Sequence, residues 1–255
     1  MAYLLTTSRA ILSAVLFCLG ATALADSDPI DAALSHVGRS PQDLARDAVD
    51  MPTVLLRLAG IRPGMQVADL LGFDGYYSEL SSYVVGEEGK VLLINNEAYD
   101  HWSDDARRAR LRGNRLPNVK HVTRELSHLA LPKGSLDAVL LIKVYHELYW
   151  IDPQGNWPKI RATRVIEQLF DALKDGGTLL LVDHSAKTGT GSSAASTLHR
   201  IDEAYATAEF ERCGFHVIAT SDALRNVKDE RTSPSVSGPM VGRTDRFVVV
   251  FRKSV

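Results

Sequence analysis

The chain reads as one α/β domain: an open, mostly parallel sheet of seven strands, helices on both faces, and an antiparallel hairpin at the end. Three observations carry that reading. Val67–Leu80 runs from an apolar strand through a Gly72/Gly75 turn into a helical segment, the opening βα unit of a ligand-binding α/β sheet. Val139–Ile142 and Leu179–Val182 are unbroken apolar runs without period-2 alternation, as strands covered on both faces require. Gly214–Thr220 and Thr244–Arg252 have no helix between them, so they pair as an antiparallel finish.

The elements follow in order. Residues 1–25 read as a signal peptide. Arg9 gives the charged start, Ala10–Leu19 the apolar run, and Ala23-Leu24-Ala25 an A-x-A cleavage site. The run is shorter than the roughly 20 residues a bilayer span needs. The expectation is a cut after Ala25, a periplasmic or secreted product and no stable membrane anchor; an uncleaved anchor is the alternative. Residues 26–39 are polar and expected to be flexible, and the folded domain spans 40–255. Ser40-Pro41-Gln42-Asp43 is a helix start, with a capping hydroxyl, proline at the first helical position and an acid in the first turn. A short helix starts at Pro52 and ends at Gly60. Strands are predicted at 66–70, 90–95, 119–123, 136–142, 177–183, 214–219 and 245–252. Helices are predicted at 75–85, 103–112, 158–174 and 197–212. Two segments rich in Gly, Ser and Thr, Lys187–Ser196 and Lys228–Arg243, are candidate lids or plain surface loops.

Composition narrows the partners. With 255 residues and 45% apolar content, one domain can bury a full core. The 29 basic and 31 acidic residues give no electrostatic reason to expect nucleic acid. Arg107-Arg108-Ala109-Arg110-Leu111-Arg112 reads as the solvated face of a helix. Removal of the leader takes Cys18 with it and leaves Cys213 without a disulfide partner, so a structural thiol is expected there.

In open α/β sheets ligands bind beyond the carboxyl ends of the strands. The fourth strand ends in Tyr145-His146-Glu147, and the fifth in Asp183-His184. A histidine titrates near neutrality, and a carboxylate can fix its tautomer, so His146 is a candidate base assisted by Tyr145 or Glu147. His184 is expected to face His146 from the neighbouring strand. The alternative is a histidine holding loop backbone beside an aromatic plug. His146 and His184 with Asp183 and Glu147 have the residue types of a metal site, but no H-x-x-x-H spacing is present, so no metal site is expected. His199 and Arg200 fall at a pocket rim or in solvent. Asp69 contacts ligand or caps the turn after its strand.

Asp69-x-x-Gly72-x-x-Gly75-Tyr76, followed by a helix, resembles the first motif of class I S-adenosylmethionine-dependent methyltransferases, and the closing antiparallel hairpin resembles the end of their Rossmann-like sheet. The resemblance extends to exported members with a Gly-Tyr-Tyr-x-Glu-Leu turn. It implies S-adenosylmethionine as cofactor, a small-molecule acceptor, and Asp69, Gly72, Gly75 and Tyr76 as cofactor-binding residues. The family usually places an acid after the second strand to hold the ribose hydroxyls; here Asn95 and Asn96 stand there, able to accept a hydrogen bond without charge. Ser127 stands where an acid before the Leu131-Pro132 pair would meet the adenine amino group. A catalytically silent, exported binding protein of the same fold is the alternative function. A hydrolase lacks support, because no G-x-S-x-G turn is present.

Overall fold

The computed structural model describes residues 28–254. The signal peptide and cleavage site expected from the sequence therefore lie outside the described residues. The chain opens with three helices, α1 (Pro29–Leu34), α2 (Pro41–Asp50) and α3 (Pro52–Ala59). Alternation then runs β1 (Gln66–Leu70), α4 (Tyr76–Val85), β2 (Lys90–Asn95), α5 (Glu97–Leu111), β3 (Val119–Thr123), β4 (Leu136–Ile142), α6 (Ala162–Ala172) and β5 (Leu173–His184). It closes with α7 (Ala195–Leu198), α8 (Glu203–Arg212), β6 (Phe215–Ser221) and β7 (Arg246–Lys253).

The strands form one sheet in the order β3-β2-β1-β4-β5-β7-β6, with β7 antiparallel to both its neighbours. Strand order reverses between β1 and β4, so the crevice for a ligand opens beyond Leu70 and Ile142. Successive strand residues feed opposite cores. Ala68, Leu70, Val139 and Leu141 pack with α6 and α8 residues such as Leu169 and Phe210. Val67, Ala138, Leu140 and Ile142 pack with Leu55 of α3 and Leu80 of α4. Burial on both faces is the reason those strands read as continuous apolar runs.

Four expectations change. The described part of residues 26–39, from Asp28 on, holds a packed helix: Asp28 caps α1, Pro29 opens it, and Ile30 and Ala33 are buried against the α3/α4 side. The Asp-Pro start is an N-cap signature that the polar composition masked. α5 begins at Glu97, six residues before the predicted start, because the Asn96 side chain accepts from Tyr99 N–H and caps it. The helix predicted at 158–174 is α6, shortened at both ends, with β5 starting at Leu173. The helix predicted at 197–212 is two: His199 adopts a left-handed φ of 49°, and Asp202 then caps α8 afresh. Among the described residues, no helix is long and apolar enough to cross a membrane.

Candidate active site

At the β1/β4 switch lies a cavity of about 270 Å³. Its walls come from Arg46 of α2, Asp69, the Gly72–Asp74 turn, Tyr76 and Tyr77 of α4, Tyr99 and Trp102 of α5, and Ile142–Val144 with Glu147 beyond β4. A larger hollow of about 860 Å³ lies by His36, Tyr83 and Asn118, but it is away from the strand ends that carry the candidate chemistry. Three non-glycine residues at this crevice take left-handed backbone: Leu71 (φ 53°), Phe73 (φ 55°) and Lys143 (φ 63°). Such conformations cost energy and concentrate at ligand sites.

The glycines at this turn have measurable reasons. A Cβ on Gly72 would fall 2.5 Å from Asp69 Oδ2 and 2.6 Å from Leu93 Cδ1. Gly75 sits at φ 88°, where a side chain is strained, and its Cβ would meet Leu93 Cδ2 at 3.0 Å. Asp69 is only 2% exposed and accepts from Ser78 Oγ at 2.7 Å. Burial and the neighbouring Asp74 push its carboxyl up to about 6, against the hydrogen bond from Ser78. A cation at this wall would relieve that penalty.

The opposite charge gathers at the α2 side. Asp50 is buried, yet Lys143 Nζ, Arg46 Nε and Arg246 all bond it within 2.9 Å. Burial works against ionisation, but Lys143 and Arg46 hold the carboxyl well below its usual range. Asp50, with Asp74 3.9 Å from Arg46, faces three bases here, so the positive excess at this wall is small. The Arg46 guanidinium also lies 3.9 Å over the Tyr76 ring, a cation–π contact. The cavity is thus bipolar, negative at Asp69, Asp74 and Glu147 and positive at Arg46 and Lys143.

Beyond β4, a 3₁₀ turn over Tyr145–Tyr149 aims its side chains in different directions. Tyr145 turns into the core beside Phe210, with its hydroxyl on Glu209. It does not reach the crevice, so it cannot assist His146 as the sequence suggested. His146 is 1% exposed. Asp183 accepts from its backbone N–H at 2.8 Å and pairs with Nδ1 at 2.7 Å. Burial alone would lower its pKa; Asp183 and Glu147 outweigh it and push the imidazole up to about 10. His146 therefore holds a proton near neutrality here, which removes it as a simple base in this state. Glu147 is drawn down to about 2 despite burial by His146 and His199. His184 bonds Thr244 Oγ1 through Nδ1, and its ring centre is 5.8 Å from that of His146. Burial and nearby cations keep it neutral.

The remaining sequence candidates sit elsewhere. Asn95 is buried and uses its whole amide on protein: Oδ1 accepts from Phe73 N–H, and Nδ2 donates to Phe73 C=O and Asp100. It pins the glycine turn and lines no part of the cavity. Asn95→Ala should strand these groups, costing about 1–3 kcal/mol and weakening ligand binding through the loosened turn. Asn95→Asp should not restore stability, because it cannot donate to Phe73 C=O; thermal unfolding of both variants checks this. Asn96 caps α5. Ser127 lies exposed in the turn after β3, outside the cavity lining. Cys213 is half-buried.

No family model matches the chain. It is 27% identical over 129 residues to a "Ubiquinone/menaquinone biosynthesis C-methyltransferase UbiE" of Haemophilus ducreyi, covering 50% of this chain and 44% of that protein. A protein of the same name from Vibrio vulnificus is 26% identical over 169 residues, covering 66% of this chain and 57% of the relative. The chain thus spans about half the length of the curated relatives it matches. Among solved structures, a SAM-dependent methyltransferase from Aquifex aeolicus superposes with a TM-score of 0.57 at 20% identity, over 79% of this chain and 88% of that one. The [4+2]-cyclase SpnF superposes with a TM-score of 0.59 at 15% identity, over 87% and 86%. The chain has the seven-stranded Rossmann-like fold of these proteins. One of these is named as a methyltransferase and the other as a cyclase, so fold alone does not choose the reaction.

Two contributors escaped the sequence reading, Arg46 and Lys143, while His199, expected at a pocket rim or in solvent, lies beside Glu147. Lys143 carried a signal, since a lysine closing an apolar central strand sits at the ligand end. Arg46 carried none, because it reaches the crevice through packing of a distant segment.

Proposed function

We propose that this chain is an S-adenosylmethionine-dependent methyltransferase acting on a small-molecule acceptor. The bipolar cavity at the β1/β4 switch carries the proposal. The cofactor's methionine end has an ammonium, a carboxylate and a sulfonium. Asp69 suits the cationic part, and Arg46 with Lys143 suits the carboxylate. Phe73, Tyr99 and Trp102 offer aromatic surface, and the Gly72–Gly75 turn lets backbone close on the ligand. When bound, such a cofactor supplies an electrophilic methyl group. The curated relatives named as methyltransferases support this donor chemistry and leave the acceptor open.

The chain's own residues then have to position and dehydrate. Methyl transfer depends chiefly on in-line placement. Glu147, with His146 and His199 beside it, orients the acceptor's reacting atom at the wall beyond β4. The cavity is slightly under the roughly 300–1,000 Å³ typical of ligand sites. Arg46, a third exposed at α2, lines the wall that would receive the carboxylate. The charged start, apolar run and A-x-A pattern of residues 1–25 support an exported setting, which cell fractionation would check.

Incubation of the full chain with methyl-labelled S-adenosylmethionine and a pool of small hydroxyl, thiol and amine acceptors is expected to transfer label. Gly75→Leu should abolish transfer by straining φ and crowding Leu93. Equal transfer by both proteins would place the donor elsewhere.

A further inference from the structure

We propose that His146, Glu147 and His199 form a binding site for one divalent transition-metal ion. Their candidate ligand atoms all lie within 4.8 Å of one another. His146 Nε2 stands 3.2 Å from Glu147 Oε1, and His199 Nδ1 stands 3.3 Å from the same oxygen. Donors bound to one ion at about 2.1 Å lie about 3.4 Å apart in tetrahedral geometry. Two of the three pairs already meet this, and rotation of the partly exposed His199 closes the third.

A second observation points to a ligand. His146 Nε2 is a buried polar atom with no hydrogen-bond partner, although Glu147 is close, and it faces the cluster. Unpaired buried polar atoms are rare and need a reason. The support around the site is of the kind metal ligands need. Asp183 grips Nδ1 of His146, leaving Nε2 to face the cluster, where the ion displaces the proton that Nε2 otherwise carries and releases it to solvent. Trp157 Nε1 donates to the Glu147 carbonyl and fixes its backbone, while Ser235 Oγ donates to the His199 carbonyl. Two carboxylates, Glu147 and Asp183, balance the charge of a dication.

Two imidazoles and one carboxylate suit zinc, cobalt or iron and leave coordination positions free. Glu147 also lines the cavity, so those free positions belong to the same crevice. Resting on the methyltransferase reading, the ion's task is to hold the acceptor's oxygen, sulfur or nitrogen and favour its deprotonated form. The binding site itself stands independently of that reading.

The test is titration of chelator-treated full-length protein with Co²⁺, followed by its visible ligand-field bands, and with Zn²⁺ by calorimetry. One ion per chain is expected. His199→Asn keeps the left-handed backbone, since asparagine tolerates it, and should weaken binding by more than about 100-fold, beyond what loss of a supporting hydrogen bond costs. Glu147→Gln should do likewise, and exposed His216→Ala should change nothing. Absence of bands and heat at millimolar metal overturns the site, as does unchanged affinity in folded His199→Asn. S-adenosylmethionine is titrated into the same samples. Metal binding without cofactor binding refutes the donor reading alone, and cofactor binding without metal binding refutes only the metal site.

Discussion

Asp69→Asn is expected to stabilise the free protein near pH 7 and to weaken S-adenosylmethionine binding by tenfold or more. Asp69 is buried, and its pKa is raised from 3.8 to about 6. The folded chain therefore keeps this proton to a higher pH than the unfolded chain does. Its stabilising share is complete below the unfolded value and is lost as pH climbs through about 6. A shift of this size corresponds to about 3 kcal/mol of destabilisation at neutral pH. Asparagine has no charge to bury and can still accept from Ser78, so that penalty disappears. The same change removes the carboxylate proposed to face the cofactor's cationic end. Stability and binding should move in opposite directions, with the melting gain growing from pH 4 to pH 7. A neutral variant that is less stable and binds normally would make Asp69 a plain turn cap.

Arg200→Ala should produce the largest loss of stability. Arg200 is fully buried and donates to Ser233 C=O, Ser185 C=O and both oxygens of Asp229. Asp229 also accepts from Asp245 N–H and Arg231 N–H. This one side chain ties the end of β5 to the 228–243 segment. Its removal strands a buried carboxylate and two carbonyls, a change that costs about 3–5 kcal/mol, or a melting point lower by about 10 °C. Arg200→Lys should recover only part, because an ammonium cannot bridge a carboxylate in a fork. Thermal unfolding with a loss below about 1 kcal/mol would mean solvent replaces the pair.

The strands were legible because central parallel strands must be apolar on both faces, and that pattern survives in Val139–Ile142 and Leu179–Val182 without any tertiary information. The Asp69/Gly72/Gly75 turn was legible for a local reason: each residue meets neighbours a few positions away or one strand over. Asn95 shows the limit. Its residue type was noticed, but an amide both donates and accepts, and only its contacts reveal that it serves Phe73. Tyr145 and His146 are adjacent, yet the 3₁₀ turn sends one to Glu209 and the other to Asp183. His199 meets Glu147 across 52 residues, and Arg246 meets Asp50 across 196. Spacing rules for metal or ion-pair partners are blind at that range.

Calorimetric titration of the full chain with S-adenosylmethionine and S-adenosylhomocysteine tests the central claim most directly. Saturable binding of one molecule of each in the micromolar range, lost in Gly75→Leu, is the predicted result. Absence of heat for both ligands at millimolar concentration, in protein that melts cooperatively, would contradict it.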